Sequence, residues 1–317
     1  MKNSNQGFNI FWDRAGMLLV FALLFAVCAF SVDGFFSRVN MEGLLLAVST
    51  IGIIACTMLF CLAAGKFDLS IGSVVACAGV VSAVVMNRTG SVTLGIMAGL
   101  GLGLLVGLIN GLVVARLGIN ALIATLASMQ YVRGIGYLVS DGKAVGITQD
   151  SFFVLGNSSF AGIPTPVWIC VVCFAVFGFL IERTTFGRNT LALGGNPEAA
   201  RLAGIPTVRT MTIIFVLQGG IAALAGIVLA SRFTSGQPTV ALGLELDVIA
   251  ACVLGGVSLT GGVGKISYVI AGVLIMGTVR NAMNLLNVPT FYQYIVSGLI
   301  LKIAVGFDWI KQRGNAR

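Results

Sequence analysis

The chain has no histidine, and only 9% of its 317 residues are charged. Without imidazole it has no histidine base, histidine metal ligand or histidine pH switch. A G-x-S-x-G nucleophile turn is also missing. Gly264-Lys265 is not a phosphate loop, because the pattern needs a glycine five positions before Gly264 and position 259 is Leu. Gly101-Leu102-Gly103 has no strand before it and falls in an apolar run. Asp68, Glu245 and Asp247, the carboxylates nearest apolar sequence, are not paired with a base on one helix. Together these gaps exclude the common routes to an enzyme, a nucleotide-binding subunit or a metal site. The seven cysteines are odd in number and all sit in apolar runs. Cys170 and Cys173 have redox spacing but no neighbouring charge to activate a thiol, so all seven read as small buried hydrophobes.

What is present is apolar sequence: 57% hydrophobic residues and a mean hydropathy of +1.02. The runs are near membrane length and do not alternate, which predicts an all-α, polytopic transmembrane helix bundle rather than a barrel. Ten segments are expected, over residues 15–32, 44–64, 71–86, 92–115, 119–137, 166–181, 211–231, 244–259, 266–286 and 291–305. The first, 18 residues long, exceeds a typical signal-peptide core and is expected to be retained. Ten segments place both termini on one side, where thirteen Lys/Arg then collect, among them Lys2, Arg14, Arg201, Lys265, Lys311, Arg313 and Arg317. Six, including Arg38, Arg133, Arg232 and Arg280, fall on the other side. The first side is therefore expected to be cytoplasmic, and the net charge of +8 reports orientation rather than nucleic acid.

Gly95, Gly99, Gly103, Gly107 and Gly111 recur every four residues, a small-residue ridge that lets another helix approach. Residues 65–73 interrupt the apolar sequence with Lys66, Asp68 and Ser70. They read either as a tight polar turn or as a helix broken inside the protein with Asp68 and Ser70 facing a water-filled path. Residues 140–164 and 232–243 read as external loops. Segment 244–259 is too short to span comfortably and leads into a glycine hinge at 260–265, so whether it crosses or re-enters stays open. Ala55, Cys56 and Gly65 match Ala251, Cys252 and Gly261 at an offset of 196, which suggests two related halves with a boundary near 182–210 in a single domain, 1–317.

Residues 182–210 carry six of the thirty charges between two apolar runs. Within them, Asn196 to Gly204 spells a short helix: Asn196 as N-cap, Pro197 at the first position, Glu198 in the first turn and Gly204 as the stop. A solvated connector and a docking device both fit that composition. Secondary carriers need ionisable relays inside the membrane, and these are sparse here. A transporter driven by a separate ATPase fits better. The alternative is a stand-alone ion-coupled or facilitative carrier.

Glu198-Ala199-Ala200-Arg201-Leu202-Ala203-Gly204 resembles the E-A-A-x-x-x-G coupling loop of bacterial ATP-binding-cassette importer permeases. With Thr185 to Asn189, Phe67 to Ser73 and Glu245 to Ala251, the chain resembles the monosaccharide branch of that family, nearest its arabinose members through residues 65–73, 140–146 and 234–238. The resemblance implies a sugar transport permease of the cell inner membrane that works as a homodimer. It implies a cytoplasmic ATP-binding subunit and a periplasmic sugar-binding protein as partners, besides membrane lipid, and no nucleic acid. ATP and Mg would sit on the partner ATPase, with no cofactor on this chain. The coupling residues would be Asn196, Pro197, Glu198, Ala199, Ala200, Arg201 and Gly204. A neutral sugar needs neutral hydrogen-bonding groups, so the expected path residues are Asn110, Asn120, Thr125, Gln130, Gln218 and Asn284, with Asp68.

Overall fold

The computed structural model describes the backbone of residues 3–315 and the side chains of residues 16–306. Lys2 and Arg317 lie outside the described residues, as do the side chains of Arg14, Lys311 and Arg313. Along the described chain run α1 (Asn3–Ser31), α2 (Arg38–Ala63), α3 (Ile71–Thr89), α4 (Val92–Ala115) and α5 (Ala121–Ser140). After β1 (Val145–Gly146), a short 3-10 turn (Asp150–Phe153) and α6 (Val154–Asn157) come β2 (Ser159–Phe160) and β3 (Ile163–Pro164). Then follow α7 (Thr165–Arg183), α8 (Thr185–Gly195), α9 (Pro197–Leu202), α10 (Thr207–Arg232), β4 (Ser235–Gly236), α11 (Leu244–Gly255), α12 (Ile266–Leu285) and α13 (Thr290–Asn315).

Every one of the ten apolar segments is helical, and among the described residues six helices (α2, α3, α4, α7, α10 and α12) are long and apolar enough to cross a membrane. Two boundaries differ from the expected ones for identifiable reasons. Helix α2 begins at Arg38 rather than Leu44, because Ser37 Oγ accepts the Asn40 N–H at 3.3 Å and Arg38 pairs with Glu42 one turn on at 2.9 Å. Helix α11 stops at Gly255, where Gly256 turns left-handed at φ +103°. Its 12 residues reach about 18 Å at 1.5 Å per residue, short of a hydrocarbon core of about 30 Å.

Helix α2 is apolar all round because it is enclosed all round: residues 51–63 are buried, with α7, α10, α11 and α12 packed about them. On one flank, α3, α4 and α10 form a close trio. The glycine ridge of α4 makes it so: a Cβ on Gly95 would meet Met86 and Ser82 of α3, and one on Gly103 or Gly107 would strike the Gly219 or Phe215 carbonyl of α10. At Gly111 the Thr212 carbonyl would stand 2.9 Å away, whereas Gly99 faces Ser82 and Ala78. Gly101, on the other face, meets nothing within 4 Å. The ridge thus packs helices, as its spacing predicts.

The two loops expected to be external are joined. Val145 and Gly146 pair antiparallel with Gly236 and Ser235, and the Ile147 N–H donates to the Thr234 carbonyl at 3.0 Å. Arg133 of α5 adds a second tie, donating through Nη1 to the carbonyls of Pro238 and Val240, each at 2.8 Å.

Candidate functional site: an exposed helix pair and a buried polar network

Between the end of α7 and the start of α10, residues 182–210 hold two short helices, α8 and α9. Thr184 caps α8 by accepting the Gly187 N–H at 3.2 Å. Asn196 then extends (φ −154°, ψ 101°) and its Oδ1 accepts the N–H groups of Glu198 and Ala199 at 3.1 and 3.0 Å, capping α9. Pro197 takes the first position, where no N–H is needed. The far end closes as a Schellman turn: Gly204 N–H to the Arg201 carbonyl at 3.0 Å, Ile205 N–H to the Ala200 carbonyl at 3.1 Å, with Gly204 at φ +79°. The four sequence signals of this helix, Asn196, Pro197, Glu198 and Gly204, therefore fall where their chemistry predicts. The eleven-residue α8 before it is bounded by the Thr184 cap and by Gly194 and Gly195, signals that the sequence reading did not use.

Helix α9 turns Ala200 inward, 4% exposed, and its remaining surface outward. Arg201 and Glu198 bond each other there at 2.6 Å. That hydrogen bond and the adjacent guanidinium charge lower the Glu198 carboxyl below its ordinary range. Leu202 projects beside them at 78% exposure, an apolar knob that the sequence reading left out of the coupling set. A large apolar residue among charges on a short capped helix was the available signal.

The break after α2 is not a tight turn. Gly65 lies against Thr260 and Gly261 beyond the C-terminal end of α11, while Gly72 lies against Glu245 and Ala241 at its N-terminal end. Residues 66–70 therefore run alongside α11 in non-helical form before α3 begins. The chain is thus interrupted within the protein rather than turned tightly, with Asp68 and Ser70 buried at 1% exposure each. Irregular backbone is tolerated at such a place only where protein groups satisfy it. Here Asp68, 1% exposed, accepts both the Ser70 N–H at 2.9 Å and the Ser70 hydroxyl at 2.6 Å. Ser70 Oγ accepts from Asn110 Nδ2 at 3.0 Å, and Asn110 Oδ1 accepts from Ser128. Thr125 Oγ1 accepts the Leu69 N–H at 3.1 Å. One network thus ties the break to α4 and α5.

Three of the expected path residues, Asp68, Asn110 and Thr125, meet in this network, and Ser70 and Ser128 join them. Gln218 is fully buried in α10, and neither its side-chain oxygen nor its nitrogen has a hydrogen-bond partner. The other three stand apart and exposed. Asn120 caps α5 by accepting the Leu122 N–H at 2.9 Å, Asn284 accepts from Gln293 at 2.8 Å, and Gln130 faces outward from α5.

A multi-helix membrane protein with a capped helix pair set out between two spans, and a largely neutral buried polar network between its helices, is built as a transport permease. The chain belongs to the family described as branched-chain amino acid transport system / permease component, which matches residues 40–305. It is 62% identical over 312 residues to the L-arabinose transport system permease protein of Escherichia coli, covering 98% of this chain and 95% of that one. It is 54% identical over 305 residues to the L-arabinose ABC transporter permease protein of Azospirillum brasilense, covering 96% and 89%. The ribose import permease protein of Bacillus subtilis is 40% identical over 298 residues, covering 93% and 92%. The resemblance carried by the E-A-A-x-x-x-G core is borne out, and the chain is a non-catalytic permease subunit of an ATP-binding-cassette importer.

Proposed function

We propose that this permease carries L-arabinose inward across the bacterial inner membrane, as a homodimer served by a cytoplasmic ATPase and a periplasmic sugar-binding protein. The observation that carries the reading is α9: a six-residue helix capped at both ends, with Glu198, Arg201 and Leu202 displayed outward. A rigid element of that kind passes a partner's movement to the spans on either side, biasing inward against outward states. The 62% identity to the Escherichia coli L-arabinose permease supports the choice of sugar.

The ten helical segments cross or enter the membrane with both termini in the cytoplasm, as the Lys/Arg asymmetry requires. Asp68, Ser70, Asn110, Thr125, Ser128 and Gln218 form the polar interior along which a hydroxyl-rich solute exchanges hydrogen bonds. Two related halves account for the helix spacing. Adding 196 to the bounds of α3 (71 and 89) gives 267 and 285, against 266 and 285 for α12. Adding it to α4 (92 and 115) gives 288 and 311, against 290 and 315 for α13.

The test is reconstitution in liposomes, alone and with the ATPase and binding protein. ATP-dependent uptake of L-arabinose that needs both partners is the expected result. Uptake driven by an ion gradient without the ATPase would overturn the proposal in favour of an ion-coupled carrier.

A further inference from the structure

Three glycine-bearing turns, distant in the chain, meet at one place. Gly65 ends α2 at φ +68°, Gly194 and Gly195 end α8, and Gly261 (φ +91°) and Gly262 (φ +77°) lie between α11 and α12. The Gly262 N–H donates to the Ala63 carbonyl at 2.8 Å. A Cβ on Gly194 would lie 2.6 Å from the Gly262 nitrogen and would strike the Ala63 carbonyl oxygen. One on Gly261 would lie 2.8 Å from both the Gly194 oxygen and the Gly65 nitrogen. Backbone meets backbone throughout, so no side chain is available to yield when one part moves.

We infer that Gly194, Gly261 and Gly262 are positioning residues for transport: they clamp the end of α8 to both broken-helix turns, so that a displacement of α8 and α9 reaches α2–α3 and α11–α12 together. The first of those turns leads directly into residues 66–70 and Asp68, and the second leads into α12. The alternative route for the displacement, along the covalent chain into α7 and α10 alone, would bypass both breaks. This inference rests on the coupling role proposed above for residues 182–210.

Gly194→Ala separates the two routes, with Gly195→Ala as its control. A Cβ on Gly195 meets only the Gly262 Cα, at 4.0 Å, an ordinary contact. The full complex with ATPase and binding protein is reconstituted, and sugar imported per ATP hydrolysed is measured beside ATPase co-purification. Gly194→Ala is expected to retain the ATPase and its hydrolysis while the transport ratio falls about tenfold, with Gly195→Ala unchanged. A natural ratio in an assembled Gly194→Ala complex would overturn the inference.

If Gly194→Ala does not assemble, G195C/G262C decides, since those backbones lie within disulfide reach and the seven natural cysteines are buried. Parts that move as one tolerate the cross-link, so oxidation is expected to leave uptake at the level of the reduced G195C/G262C protein. Uptake blocked on oxidation and restored by reductant would overturn the clamp. Failure of the natural chain to bind the ATPase would instead remove the coupling reading itself, before any variant is compared.

Discussion

Asn110 Nδ2 stands 3.0 Å from Ser70 Oγ, across 40 residues of sequence, and that single bond ties the break after α2 to the glycine-ridged helix α4. The Ser70 hydroxyl accepts that bond and gives its own proton to Asp68. Asn110 in turn accepts from Ser128 through Oδ1.

Asn110→Leu removes its bonds to Ser70 and Ser128 but leaves the Ser70 hydroxyl donating to Asp68 and the Ser128 hydroxyl donating to the Ala124 carbonyl, so it is expected to destabilise the purified protein by about 0.5–1.5 kcal/mol. Asp68→Asn keeps an acceptor for the Ser70 N–H and hydroxyl, so it is expected to lose less stability than Asp68→Ala. Thermal unfolding in detergent checks both, and equal losses for the two Asp68 variants would contradict the account.

The two faces of α4 should respond oppositely to added volume. Gly107→Leu would drive a side chain into the Phe215 carbonyl and is expected to prevent the α4–α10 approach, read as lost folded yield. Gly101→Ala faces open space and is expected to be neutral or to gain about 0.5–1 kcal/mol from helix propensity.

The α9 surface should be dispensable for insertion and indispensable for uptake. Glu198→Lys breaks the pair with Arg201 and places two like charges one turn apart. Gly204→Asp forces a side chain into a left-handed conformation, at about 1–2 kcal/mol. Both are expected to insert normally and abolish uptake. Leu202→Asp is expected to weaken ATPase co-purification. The lowered Glu198 carboxyl also sets a pH sign: pairing is fully present above the ordinary glutamate range and fades only as pH falls through the lowered value. ATPase binding is thus expected to be flat between about pH 6 and 8, where both partners stay charged.

Arg280 and Asp247 meet at 2.5 Å between α12 and α11, with Asp247 4% exposed on its side chain. Arg280→Ala leaves that carboxylate buried without its partner and is expected to cost about 3–5 kcal/mol. The double change Asp247→Leu with Arg280→Met removes both charges and is expected to restore most of the loss. Unfolding midpoints of the single and double variants measure the coupling.

Local chemistry was legible in the sequence where one stretch contained all its own partners. Asn196, Pro197, Glu198 and Gly204 cap a helix using atoms within nine residues, and five glycines four apart define one face of α4 without reference to what covers it. The site was legible only in part because its partners come from separate helices. Nothing near Asp68 announces that Ser70 will meet Asn110, or that Leu69 will lend its N–H to Thr125. Whether residues 65–70 turned tightly or ran on in non-helical form depended on where Gly72 would land, beside Glu245 on a helix 173 residues later. Arg38 and Glu42 hid the first turn of α2 because charges usually end a span, whereas here they pair along one.

Helix α2 is enclosed by α7, α10, α11 and α12, all of which lie downstream in the chain. Synthesised first, it enters the bilayer before any of the helices that will surround it. Its largely apolar surface beyond Glu42 makes that order harmless, since lipid chains and a protein interior are equivalent solvents for Ile, Leu and Phe. Biogenesis therefore ends with four later helices displacing lipid from one already in place, and a chain halted before α10 would leave α2 inserted yet only partly wrapped.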